Sequence, residues 1–130
     1  MKKNVLIIGA IILALLFVWG TVRLISNQSQ SVQVGSFDVN DYSDYIERFP
    51  SEEILGATMD GKTAKEKAEA LLLEIYGKSV KSKRPYGVSF DEKNRVWLVQ
   101  GSLPKNRDGG VPHILIRESD GRVLAVWHDK

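Results

Sequence analysis

The chain has no cysteine. Disulfides, thiolate zinc centres, a cysteine nucleophile and a lipid-modified cysteine are therefore excluded. Histidine is nearly as scarce, and both copies, His113 and His128, fall near the C-terminus. No G-x-S-x-G elbow exists to present a serine nucleophile. "GKT" at Gly61 lacks the upstream glycine spacing of a P-loop and follows no strand-like run. Gly109-Gly110 has no helix behind it to hold a phosphate. Excess charge is missing too. Of 18 basic residues, Lys2, Lys3 and Arg23 flank the N-terminal apolar run, which leaves 15 against all 16 acidic residues. A domain so close to neutral has no electrostatic footprint for nucleic acid.

The opening stretch holds the longest apolar run. Val5 to Val22 carries no charge. As a helix it spans about 27 Å at about 1.5 Å per residue, close to a bilayer core of roughly 30 Å. Trp19 suits the interface and Arg23 can snorkel outward. A cleaved signal peptide would have a shorter apolar core and an Ala-x-Ala-like site, which "FVWGTVRLIS" does not offer. Residues 1–25 are therefore expected to be a transmembrane anchor. Lys2 and Lys3 keep the N-terminus cytoplasmic and send the rest of the chain outside. Residues 26–37, polar and uncharged, read as a flexible tether. Residues 38–130 read as an extracytoplasmic domain.

In that domain, Val39, Tyr42, Ile46 and Phe49 recur at near-helical spacing before Pro50, which predicts a short amphipathic helix. Thr63-x-x-Glu66 has the form of a capping box. Behind it Ala64, Ala68, Leu71, Leu72 and Ile75 make one apolar stripe, and Gly77 is a left-handed stop. The period then changes to two. Tyr86–Phe90, Arg95–Gly101, Pro112–Glu118 and Arg122–His128 read as strands, the last two joined at Asp120-Gly121. One or two helices followed by four strands predict an α+β domain with a four-stranded antiparallel sheet.

With Asp120-Gly121 as a two-residue turn, Ser119 pairs with Arg122, and His113 falls opposite His128. A three-residue loop would break that pairing. Opposed side chains have Cβ atoms about 4.5–5.5 Å apart, near enough to share a metal. Zinc requires three or four protein ligands, however, and neither a third histidine nor a cysteine exists. No metal, cofactor or catalytic residue is assigned. The face carrying His113, Arg117 and His128, and the aromatics Tyr42 and Tyr45 of the first helix, are the candidate contacts for a protein partner.

Five stretches, "AEALLLEIYG", "RPY", "VWLVQGSLP", "GGVPHILIRESDG" and "VLAVWHDK", occur in this order between about Thr63 and Lys130. In them the chain resembles small bacterial immunity proteins of the nuclear-transport-factor-2-like fold. The matching positions include Tyr76, Gly77, Pro85, Trp97, Gly101, Pro104, Gly109, Gly110, Asp120 and Gly121, which read as structural. The resemblance implies a trimmed version of that fold. It also implies a non-enzymatic protein that neutralises a toxin by binding it. A PepSY-like domain restraining a peptidase is the nearest alternative, though its two α-β halves are absent. A ligand-binding or hydrolytic cavity over the sheet is another, and fold alone is no evidence for it.

Overall fold

The computed structural model describes residues 31–104 and 109–130. Contacts divide the chain into a unit of residues 1–31 and a unit of residues 32–130, and every described element belongs to the second. Along the chain come β1 (Val34–Ser36), a 3-10 turn (Val39–Tyr42), α1 (Ser43–Arg48) and α2 (Gly61–Tyr76). A second 3-10 segment (Lys78–Lys83) leads to β2 (Gly87–Asp91), β3 (Val96–Gln100), β4 (Pro112–Arg117) and β5 (Val123–His128).

The strands form one sheet in sequence order. It has five strands, where the sequence predicts four. The additional one, β1, comes from the stretch read as a tether, and it runs parallel to β2 with Val34 opposite Val88. Three residues are too few to show an alternating pattern, so only tertiary pairing reveals this strand. The other neighbours are antiparallel. Residues 1–25, expected as a membrane anchor, lie outside the described residues. Among the described residues no helix is long and apolar enough to cross a membrane.

α2 begins three residues earlier than the expected capping box. Asp60 is the N-cap, and its carboxylate accepts a hydrogen bond from the Thr63 amide at 2.7 Å. That bond holds the Asp60 carboxyl below its ordinary value. A carboxylate there satisfies a free amide and meets the positive end of the helix dipole. Ala64, Ala68, Leu71 and Leu72 are buried, while Ile75 at the end of the expected stripe is 46% exposed. The two alanines let the helix lie close on Val88, Trp97, Val99, Ile114, Ile116 and Val123. Full burial of Leu72 contributes about 1.5–3 kcal/mol.

The opposite face of the sheet is covered as well. Val96, Leu98, Leu115, Ala125 and Trp127 pack there against Val39, Tyr42 and Ile46 of the 3-10 turn and α1. β3 and β4 thus lie between two layers, which is why Val96–Val99 and Ile114–Ile116 read as unbroken apolar runs.

β5 is bulged. Leu115 pairs with Ala125 but Ile116 pairs with Val123, so Leu124 has no partner on β4. The outer edge of β5 shows the same step. Val123 donates to the Glu53 carbonyl at 2.9 Å and Val126 to the Phe49 carbonyl at 3.2 Å. In a regular strand outward amides recur every second residue; here they are three apart. The segment from Phe49 to Thr58 forms a strap along this edge and continues around the hairpin. Leu55 donates to the Gly121 carbonyl at 2.9 Å and Thr58 to the Glu118 carbonyl at 3.0 Å. It thereby blocks the edge to foreign strands. Gly121 sits at φ +72, and a Cβ there would stand 1.9 Å from the Gly56 carbonyl oxygen. No other residue fits that contact.

Asp91, buried at the end of β2, fastens the second layer to the sheet. It accepts from the Val39 amide at 2.8 Å and from the Asn94 amide and side chain, both at 2.9 Å. The Val39 bond first, then the Asn94 side chain, hold its carboxyl below the ordinary value of 3.8. A folded-state value below the unfolded one stabilises the protein above the unfolded value. That stabilisation is lost as pH falls through the folded one. Asp91→Asn is therefore expected to lower the melting temperature at pH 7. The gap from the parent should narrow below about pH 3.5 in melts run as a pH series. A gap independent of pH would show that the carboxylate charge has no part in the fastening.

Candidate binding surface

The bulge at Leu124 places Trp127 on the face covered by α1, and an aromatic array forms around it. The Tyr45 ring of α1 stacks on Trp127 at 4.5 Å and 24°. His113, directly opposite on β4, stacks at 4.9 Å and 7°. Tyr42 lies 5.9 Å from both Trp127 and Tyr45. Phe37 meets Tyr42 edge-on at 5.8 Å, and Phe49 extends the array from Tyr45 at 6.4 Å. Trp127 is only 4% exposed, whereas Tyr45 and Phe49 are 38% and 40% exposed. A buried indole thus supports rings that face water. Such rings have lost their conformational freedom already, and that lowers the entropy cost of a later contact.

His113 is held at both ring nitrogens. Nδ1 lies 3.0 Å from Gln100 Oε1, and Nε2 lies 2.6 Å from Asp129 Oδ2. The Gln100 amide can turn to present oxygen or nitrogen, so the site accommodates either tautomer. Burial pushes the Tyr42 hydroxyl above its ordinary value, reinforced by Asp41, Tyr45 and Asp129 nearby. The chemistry here is stacking, hydrogen bonding and negative charge.

The two histidines do not face each other. His113 pairs with Trp127, and His128 pairs with Pro112. His128 projects to the α2 side of the sheet, where its ring meets Tyr76 edge-on at 5.4 Å. The loop that joins β4 to β5 is longer than the expected two-residue turn: the Arg117 amide donates to the Arg122 carbonyl across it. The longer loop shifts the pairing by two residues and keeps the faces; the bulge shifts it by one and puts the histidines on opposite faces. Arg117 lies at the hairpin end, bound to Asp120 through Nε at 3.0 Å and Nη2 at 2.6 Å. These bonds, with the Arg122 amide, hold the Asp120 carboxyl far below its usual range. Of the five candidate contacts, the structure brings together Tyr42, Tyr45 and His113, and separates Arg117 and His128.

Sequence reasoning missed Trp127, Gln100, Asp129, Phe37 and Phe49 as members of this surface. A register shifted by the bulge was the only thing hiding Trp127. Gln100 becomes visible once β3 is paired, because it stands opposite His113.

The positions shared with the resembled family lie in different surroundings. Trp97 is buried, donates its indole N–H to the Thr58 carbonyl at 2.7 Å and lies 4.2 Å from Phe90. Gly77 caps α2, directly after Tyr76. The Arg84-Pro85 bond is cis, and the Pro85 carbonyl accepts from the Ser102 hydroxyl at 2.6 Å. Gly101 donates to the Pro112 carbonyl at 3.0 Å. Pro104 and Gly109 are exposed, on either side of the undescribed residues 105–108. Gly110 is buried, and a Cβ there would stand 1.6 Å from the Asp129 carbonyl oxygen. The glycine therefore lets the C-terminal segment close on the loop and carry Asp129 to His113.

Among the described residues no group of three or more His, Asp or Glu side chains could hold a metal. A groove of about 260 Å³ lies between α2 and the second 3-10 segment, lined by Glu69, Leu73, Val80, Arg84 and Tyr86. Arg84 and Glu69 pair across it at 2.9 Å. The Tyr86 hydroxyl, pushed up to about 12 chiefly by burial, donates to the Val80 carbonyl at 2.9 Å.

Different surroundings give the two histidines different importance. His113→Ala removes a stacked ring and two hydrogen bonds, and is expected to cost about 1–3 kcal/mol in denaturant unfolding. His128→Ala, at an exposed position, should cost within about 0.5 kcal/mol. Equal losses would indicate that the histidines share one environment.

A family model described as NTF2 fold immunity protein matches residues 63–130. Neither the curated proteins nor the solved structures gave a match. The matched region runs from the first turn of α2 through β5 and carries Trp127, His113, Gln100 and Asp129, while Tyr42, Tyr45 and Phe49 precede it. The match covers just over half of the chain, and the chain belongs to the NTF2 fold immunity protein family.

Proposed function

We propose that this protein neutralises a cognate toxin by binding it and covering its working surface, without chemistry of its own. Family membership supports the role, and the rigid array of Tyr42, Tyr45 and Phe49 over Trp127 is the observation that carries the mode. Aromatic side chains dominate binding at protein interfaces, and most of all when their partners hold them in place. Residues 1–25 anchor the protein in a membrane, with the N-terminus cytoplasmic and the domain outside. Support for this comes from the uncharged run Val5–Val22 behind Lys2 and Lys3. The protein would then intercept its toxin at the outer side of the membrane.

The test is co-expression with the protein encoded beside this chain's own gene, in a host that the neighbour kills. The full-length chain should restore growth and co-purify with the neighbour in a fixed ratio, and Tyr42→Ala/Tyr45→Ala should weaken the complex at least tenfold. Failure to protect, together with no complex, would overturn the reading. For the anchor, a C-terminal alkaline phosphatase fusion is expected to be active; an inactive but stable fusion would place the domain on the cytoplasmic side.

A further inference from the structure

The near-neutral charge of the domain conceals a strong separation between its two outer layers. Residues 38–53, the 3-10 turn, α1 and the start of the strap, carry Asp38, Asp41, Asp44, Glu47, Glu52 and Glu53 against Arg48 alone. All six acidic residues are exposed. The layer on the other face of the sheet, residues 61–86, has seven basic residues against three acidic ones. Two of those three, Glu66 and Glu69, are paired with Lys62 and Arg84. The sheet lies between a negative layer and a positive one. Only the negative layer also presents the stacked aromatic array, with Tyr45 and Phe49 exposed between the carboxylates. Asp129, on His113 and near Tyr42, adds to the negative side.

We propose that the layer of residues 38–53 is the docking surface, and that its occupant is a partner protein with a basic face. Tyr45 and Phe49 form the apolar centre and the carboxylates form the rim. This rests on the binding role proposed above and adds the site and the partner's charge. The arrangement follows the division found in protein interfaces, with aromatic anchors in the middle and polar charge around them. Charge complementarity selects the occupant. An acidic rim repels an acidic protein, a nucleic acid or an anionic membrane, and attracts a cationic protein over about a Debye length, roughly 10 Å at 0.1 M salt. The two components act on different rates. Rim charge governs how fast partners meet, and the aromatic anchors govern how long they stay.

The probe is the purified product of the adjacent gene, titrated against the full-length chain in detergent by a kinetic binding measurement. Asp44→Lys/Glu47→Lys is expected to weaken binding at least tenfold, mostly by slowing association, with an unchanged melting temperature. Lys78→Glu/Lys81→Glu, on the opposite layer, should leave affinity within threefold. Raising NaCl from 50 to 500 mM should weaken the parent complex about tenfold or more and have a smaller effect on the reversed variant. If the parent binds tightly and the first pair is silent, or the second pair abolishes binding, the docking surface is wrong while the binding role stands. If the parent does not bind at all, both fail together.

Discussion

Leu124 has no partner on β4, and what each face of the sheet carries depends on that one extra residue. Before it, Val123 belongs to the face under α2; after it, Ala125 and Trp127 belong to the face under α1, and Val126 and His128 return to the first. Without the bulge the alternation of side chains would send Trp127 beneath α2 and take from α1 the indole on which Tyr45 stacks. The strap depends on the same step, because Phe49 and Glu53 accept from amides three residues apart. Edge protection, the seat of α1 and the partner of His113 are thus set together.

The family-matched part and the remainder of the described domain do different work. Residues 63–130 supply α2 and four strands, a scaffold whose core is closed by Trp97, Leu72 and Ile114. Residues 37–60 lie outside the match and supply the aromatic and acidic layer and the strap along the β5 edge. A rigid scaffold with a separable surface layer is a common way to keep a fold while changing its partner. The contact between the parts is built in detail. Asp91 holds the Val39 amide, the Thr58 carbonyl accepts a hydrogen bond from the Trp97 indole N–H, and Tyr45 rests on Trp127. The surface is therefore pre-ordered by the core.

Much of this was legible from residues alone, because the strongest patterns are local. The α2 stripe and the apolar strand-like runs of β2 to β5 need no tertiary knowledge, and Tyr42 and Tyr45 stand out as aromatics of the short first helix. What escaped is non-local. β1 is three residues long and exists through its pairing with β2. Asp60 displaced Thr63 as the cap because a charged acceptor sits one position before Gly61. The register of the last hairpin could not be read, since turn length shifts it by two residues and the bulge by one, and the strap that favours the bulge is over 60 residues away in sequence. That error sent His128 to the wrong side and concealed Trp127 and Asp129 as companions of His113.

The account stands or falls on whether the face built on Trp127 is the one that meets the partner. Hydrogen–deuterium exchange of the full-length chain, alone and saturated with the adjacent gene's product, reads this directly. Slower exchange is expected in peptides covering residues 38–53 and the end of β5, with little change across α2 and residues 78–84. Protection confined to α2 and residues 78–84, with residues 38–53 unchanged, would put the partner on the opposite face and contradict the account.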